Sequence, residues 1–279
     1  MDTTSLLREE MEKKARKYEC ALVGKEIWWD VVVLTARDEA QAAVLEEAVR
    51  EKVRLGRIPN NECVYICVPD KSDGGTGAAT MNVIHELVER GLHFRRGRRE
   101  KGVGEGKTNN DCCEGDGASV LLINAGGYSK RLPHTAVIGK ALAPLPCEMA
   151  RDALEMRLLL SIDYPALMRP QSFRTHQIRE KEGAMVSRWG RGGGVFVAPS
   201  DVIDIAPPPA FSVRLDSIPG VVGIAHSAPA SYSARHGVYI PGDQAINGNC
   251  ELVACSRYVH KVPCLPSYSW IIRLECTRY

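Results

Sequence analysis

The sequence predicts an α/β protein with a mostly parallel sheet flanked by helices. Three observations carry this. Short β-branched or apolar runs alternate with helix-periodic segments along the first two hundred residues. The runs are nearly continuous in apolar character, as in strands buried on both faces. Glycine-rich turns sit between them, as at strand-to-helix junctions.

Residues 1–24 are rich in charge at helical spacing and read as an N-terminal helical extension. Residues 28–35, WWDVVVLT, read as a buried strand. Asp38 then opens a helix whose buried face is expected to hold Ala40, Val44, Ala48 and Val49, with a Glu46–Arg50 pair outside. Gly56 and Pro59 end it, and VYICV at 64–68 is the next strand. Residues 73–80, DGGTGAAT, read as a glycine-rich turn before a helix capped by Thr80 and stopped at Gly91.

Residues 95–119 carry no periodicity and almost no large apolar side chain, so a mobile surface insertion is expected there. The pattern resumes at Val120 with an apolar strand ending in Gly126-Gly127. Met149, Ala153, Met156 and Leu160 lie at helical spacing and predict a buried face. GGGVFVAPSDVIDI at 192–205 reads as a strand followed by two acids, and VVGIAHS and HGVYIP as two short strands. The division expected is a helical extension over 1–24, one domain over 25–246, and an unassigned tail over 247–279.

Composition narrows the function. A net charge of +2 over 279 residues argues against coating nucleic acid. No apolar run approaches the roughly 18 residues of a membrane span, and the N-terminus lacks the apolar core of a secretory signal. A cytoplasmic protein without a membrane or nucleic-acid partner is expected. The ten cysteines lack metal-site spacing, so reduced structural thiols are expected. A Cys/His zinc site in the tail, with His260, is the alternative.

Three groups of residues have the chemistry of a nucleotide site. The first is Gly126, Gly127, Ser129, Lys130, Arg131, Pro133 and Lys140. Bare backbone approaches phosphate closely, and Arg131 and Lys140 supply charge as pyrophosphate leaves. The bland alternative is a tight turn with solvated cations. The second is Gly75, Gly77 and Thr80 ahead of a helix, where free N–H groups favour anions. Its spacing is neither a Walker A loop nor a dinucleotide fingerprint. The third is Asp201, with Asp204, after a strand, where a carboxylate can hold magnesium. His134 and His236 are further candidates for ligand contact, and His85 reads as a helix residue.

Taken in order, WDVVVLTA, RLGRIP, GGTGAATMNVI, VLLINAGGYSKRLPHTAVIGKALAPLP, GGGVFVAPSDV and HGVYIP resemble the GDP-fucose pyrophosphorylase (fucose-1-phosphate guanylyltransferase) family. The same module begins the bifunctional fucokinase/GDP-fucose pyrophosphorylases. The resemblance implies a GT-A-like, Rossmann-like nucleotidyltransferase. It implies GTP and a fucose-like sugar 1-phosphate as partners, GDP-fucose and pyrophosphate as products, and Mg2+ as cofactor. By position, Gly126, Gly127, Ser129 and Lys130 would line the nucleotide. Arg131 and Lys140 would bind phosphates, Gly75, Gly77 and Thr80 would lie near the base or phosphates, and Asp201 would hold the metal.

Ala78 stands where the family commonly has glycine, and residues 95–119 read as an insertion. The chain ends where family members continue, so a shortened member is expected. The competing expectations are a catalytically silent nucleotide-binding relative and the N-terminal part of a fucokinase-type protein.

Overall fold

The structure is a computed structural model. It describes residues 3–60, 62–70, 75–90, 118–126, 135–168, 193–203, 221–224, 237–241, 253–260 and 275–277. The chain divides into two compact units, Met1–Pro208 and Pro209–Tyr279.

The larger unit is built on a parallel sheet of β1 (Val31–Ala36), β2 (Val64–Pro69), β3 (Ser119–Asn124) and β4 (Gly194–Pro199), in the order β2-β1-β3-β4. All six β1 residues are buried, as the β-branched run predicts for a strand covered on both faces. Asp30 aligns β1 with β3: its Oδ2 accepts from the Ser119 N–H at 2.8 Å and hydroxyl at 2.6 Å.

α2 (Glu39–Arg54) joins β1 to β2, and α3 (Gly75–Glu89) lies between β2 and β3. They cover opposite faces. Leu45 and Val49 of α2 pack with Val32, Leu34, Leu121 and Ile123. Val83 and Leu87 of α3 pack with Val31, Val33, Ile66, Val68, Val120 and Leu122. The chain therefore leaves β1 on one side and returns at β3 on the other. This makes the β1/β3 boundary a topological switch point, where the carboxyl ends of the strands open a crevice.

Several elements differ from the sequence reading. Ala40 and Val44 of α2 are exposed; the buried face is Gln41, Ala42, Leu45, Val49 and Lys52. Apolar spacing missed it because Gln41 and Lys52 are buried through polar partners. Arg50 bonds Glu47, not Glu46. α3 begins at Gly75, not after Thr80, so the expected turn is already helix and Thr80 is not its cap. The Thr80 hydroxyl instead donates to the Thr76 carbonyl at 2.9 Å. Of the first six residues of α3 only Ala78 and Ala79 are strong helix formers, and the φ of Gly75 is +75°.

α1 (Thr3–Leu22) packs Tyr18 and Ala21 into the core beside α5 (Ala153–Leu160). Lys14, itself buried, reaches Asp163 at 2.5 Å, and Lys17 reaches the second oxygen of the same carboxylate. On α2, Lys52 bridges Asp152 and Glu155, both at 2.5 Å. Asp152 also caps α5, accepting from the Glu155 N–H. α5 is buried from Leu154 to Leu160, so its expected face is too narrow; Met149 lies outside the helix and is 43% exposed. α6 (Tyr164–Met168) brings Tyr164 onto Phe196 of β4, with ring centroids 4.2 Å apart.

The smaller unit contains β5 (Val221–Gly223), β6 (Gly237–Pro241), β7 (Val253–His260) and β8 (Glu275–Thr277), in the order β5-β8-β7-β6. Its β5–β8 and β6–β7 pairs are antiparallel and its β7–β8 pair is parallel. Two strands thus lie within the sequence read as an unassigned tail. No described helix is long and apolar enough to cross a membrane.

Candidate functional site

The carboxyl ends of β1, β3 and β4 meet at the switch point. β1 leaves through Arg37 and Asp38, β3 through Ala125 and Gly126, and β4 through Ser200 and Asp201. The exits are tied together. The Thr35 hydroxyl accepts from the N–H groups of Ala125 at 3.2 Å and Gly126 at 3.4 Å. Ser200 donates through its hydroxyl to the Asn124 carbonyl at 2.9 Å.

Gly126 has a steric reason to be glycine. A Cβ there would stand 2.7 Å from the Ala36 carbonyl carbon and 2.9 Å from the Arg37 nitrogen. Its N–H faces inward to Thr35, so β1 packing accounts for this residue without a ligand. Gly139 is glycine for a different reason. Its φ is +87°, a left-handed conformation that redirects the chain from α4 (Thr135–Ile138) into a short 3-10 turn at Lys140–Leu142. The Lys140 N–H then donates to the Ala125 carbonyl at 3.4 Å, setting that residue over the β3 exit.

There Lys140 Nζ meets Asp201 Oδ2 at 3.0 Å, across 61 residues of sequence. Their side chains keep 27% and 44% of their exposure, so the pair is accessible to a ligand. Two of the residues singled out for phosphate and metal chemistry are therefore in contact. Gly127, Ser129, Lys130, Arg131, Pro133, His134, Asp204 and His236 lie outside the described residues, as does most of the 95–119 insertion. Gly75 and Gly77 are exposed at the start of α3, with open space where a Cβ would stand. Among the described residues, no hydrogen bond or ion pair joins this helix start to Lys140 or Asp201. His85 is on the surface beside Glu89, 3.5 Å away.

Polar residues not singled out by sequence complete the frame. Gln41, only 2% exposed, accepts from the Arg37 N–H at 2.8 Å and donates to the Ala136 carbonyl at 3.1 Å. Arg37 donates to the same carbonyl at 3.2 Å and pairs with Asp38. The N–H of Gln41 and the Arg37 guanidinium hold the Asp38 carboxyl below its ordinary value. Asn124 ends β3 with a buried side-chain Oδ1 that finds no hydrogen-bond partner among the described residues. Arg157, on α5, donates to the Val202 carbonyl beside Asp201. A polar residue closing an apolar strand run was the available signal for Asn124. Arg157 sits in an apolar helix run, where a charge calls for a partner.

The donor chemistry here suits magnesium better than a softer metal. Among the described residues no group of three His, Cys, Asp or Glu side chains converges. A single accessible carboxylate at a strand end fits an ion that keeps water and substrate phosphates as its other ligands. Cys63 and Cys67 are buried thiols of the core. Burial pushes the Cys63 and Cys67 thiols up to about 12.

Residues 115–264 match the fucose pyrophosphorylase domain model, just over half of the chain. The chain belongs to the fucose pyrophosphorylase domain family. The matched region of this family member holds β3, Lys140 and Asp201, and reaches past β7 of the smaller unit.

The chain is 27% identical over 263 residues to the Homo sapiens fucose-1-phosphate guanylyltransferase, covering 91% of this chain and 36% of that protein. The Mus musculus protein of the same name is 27% identical over 264 residues, covering 91% and 37%. The Arabidopsis thaliana bifunctional fucokinase/GDP-fucose pyrophosphorylase is 33% identical over 164 residues, covering 51% and 15%. The chain thus spans little more than a third of the mammalian relatives' length. No solved structure matches it at a significant level.

Proposed function

We propose that the larger unit is a GT-A-like nucleotidyltransferase module that makes GDP-fucose and pyrophosphate from GTP and L-fucose 1-phosphate. The observation that carries the reading is the Lys140–Asp201 pair, which joins the carboxyl ends of β3 and β4 beside the β1/β3 switch point, inside the family match. The guanine and the fucose follow the activities named for the relatives.

In this reading a phosphate oxygen of the sugar 1-phosphate attacks the α-phosphorus of GTP in line. The bond from that phosphorus to the bridging oxygen breaks, and pyrophosphate leaves. Lys140 exchanges Asp201 for a phosphate oxygen and, with Arg131, stabilises the charge that develops on the leaving group. Asp201, released from Lys140, is the side chain that would hold magnesium. When bound, that ion neutralises the triphosphate. Gly127, Ser129 and Lys130 line the nucleotide after β3, with Gly126 anchoring the start of that turn on β1. Gly75, Gly77 and Thr80 offer the first turn of α3 to the base or phosphates. The same reading places the protein in the cytoplasm.

A nucleotide-binding module without turnover is favoured by one observation: Lys140 and Asp201 neutralise each other. A coupled pyrophosphate assay over several nucleotide and sugar 1-phosphate pairs separates the readings. Release that is fastest with GTP and fucose 1-phosphate supports transfer. Thermal stabilisation by GTP and magnesium without release assigns binding alone.

A further inference from the structure

Arg157 is only 4% exposed, on a helix whose following residues Leu158, Leu159 and Leu160 are core. Burying a guanidinium costs several kcal/mol unless hydrogen bonds compensate it. A leucine would fill an apolar helix position without that cost. The Arg157 Nη2 donates to the Val202 carbonyl, in the segment that follows β4. The backbone it holds is one residue beyond Asp201, whose carboxylate bears on Lys140. The loop offers little apolar anchoring of its own, since Val202 and Ile203 are 44% and 54% exposed.

We propose that Arg157 is a positioning residue: it clamps the Val202 carbonyl so that Asp201 stays directed at Lys140. A buried charge on one element thereby sets the geometry of an exposed carboxylate on another. Its consequence for turnover rests on the transferase reading above; the clamp itself does not. A guanidinium suits the task because its rigid fork reaches a backbone carbonyl with less lost freedom than an ammonium. Arg157→Lys keeps the charge but shortens the reach, and Arg157→Met keeps the volume without the donor.

The test is carbodiimide cross-linking of the full chain, read by mass spectrometry. The reagent activates the Asp201 carboxyl, the Lys140 amine attacks it, a urea leaves and an amide bond forms. A Lys13–Glu9 cross-link, within α1 and at 2.9 Å, controls for reagent. The clamp predicts at least a fivefold drop in the Lys140–Asp201 product in Arg157→Met. It predicts a smaller drop in Arg157→Lys, with the melting temperature of that variant close to wild type. An unchanged yield in either folded variant overturns the proposal.

Turnover is the second readout. Arg157→Met lowers kcat about tenfold in the wild-type background and has no further effect in Asp201→Ala, because it acts through that carboxylate. Equal losses in both backgrounds overturn the proposal. A wild-type chain that releases no pyrophosphate, yet loses the cross-link in the variants, refutes the transferase reading and leaves the clamp standing.

Discussion

Gly126 and Gly77 both belong to glycine-rich stretches that suggest nucleotide contact, yet the structure gives them opposite responses to a methyl group. At Gly126 the added Cβ falls 2.7 Å from the Ala36 carbonyl carbon, 2.9 Å from the Arg37 nitrogen and 3.1 Å from the Ala36 Cα. Carbon atoms rest about 3.5–4.0 Å apart, so the closest contact is short by about 0.8 Å. All three neighbours are backbone, so no rotamer change relieves them. The Gly126 turn must separate from the β1 exit, straining the Thr35 hydroxyl's contacts with Ala125 and Gly126. Overpacking of this kind costs about 1–3 kcal/mol, and the rigid surroundings argue for the upper end. At about 2–4 °C per kcal/mol for a domain of this size, Gly126→Ala should melt about 6–12 °C lower.

At Gly77 nothing stands within 4 Å, and the residue lies in the first turn of α3. Alanine there should be neutral or stabilising, by at most about 1 kcal/mol. Calorimetry of the two variants, each with and without GTP and magnesium, gives the comparison. An unshifted melt in Gly126→Ala refutes the steric account. A destabilised Gly77→Ala refutes the helical start at Gly75. Should Gly77→Ala be stable but lose its stabilisation by GTP, a ligand approaches that backbone.

Three further outcomes follow from the polar core. Burial pulls the Glu155 carboxyl upward, but Lys52 and the Arg151 N–H outweigh it, so its pKa lies below the ordinary value. Asp163 follows the same pattern: burial raises it, and Lys14 and Lys17 carry it below the ordinary value. Stability from a depressed carboxylate is present above its unfolded pKa, about 4, and is lost as pH falls through the lower folded value. Urea midpoints should therefore fall steeply below about pH 4, and a combined Glu155→Gln, Asp163→Asn variant should flatten that fall. Lys52→Met leaves Asp152 and Glu155 buried without their shared ammonium and should cost about 3–5 kcal/mol in urea denaturation; a cost under about 1 would contradict the pairing. Asn124→Leu removes an acceptor that lacks a donor among the described residues, so stability should hold or rise by about 1 kcal/mol, and a comparable loss would mean that Oδ1 is bonded.

The four strands and the longer helices of the larger unit were legible because apolar runs and periodicity report burial directly; the short α4 and α6 carry no such pattern. Asp38 and Gly56 bracketed α2 through chemistry that acts locally, a side-chain cap and a positive φ. The buried face of α2 was not legible, since Lys52 enters the core through Asp152 and Glu155, a hundred residues or more away, and Gln41 bonds the distant Ala136 carbonyl as well as the nearby Arg37 N–H. The start of α3 was misplaced because the glycines suggest a turn, and Gly75–Thr80, with two glycines and two threonines, carries no local propensity that marks a helix start. At the site, Lys140 and Asp201 were marked as chemically suitable, but their contact spans a crossover that no local pattern encodes. Arg157 escaped notice for the same reason. The Val202 carbonyl that it bonds is backbone, which carries no sequence signature.

The most direct test of the account is pyrophosphate release by Lys140→Ala and Asp201→Asn, with melting temperatures measured in parallel. An accessible ion pair contributes at most about 1 kcal/mol to stability, so both variants should melt within a few degrees of wild type. Loss of a group that stabilises transition-state charge costs about 10²–10³ in kcat. The account predicts that fall in both variants with the fold intact. Wild-type turnover in either variant would contradict it.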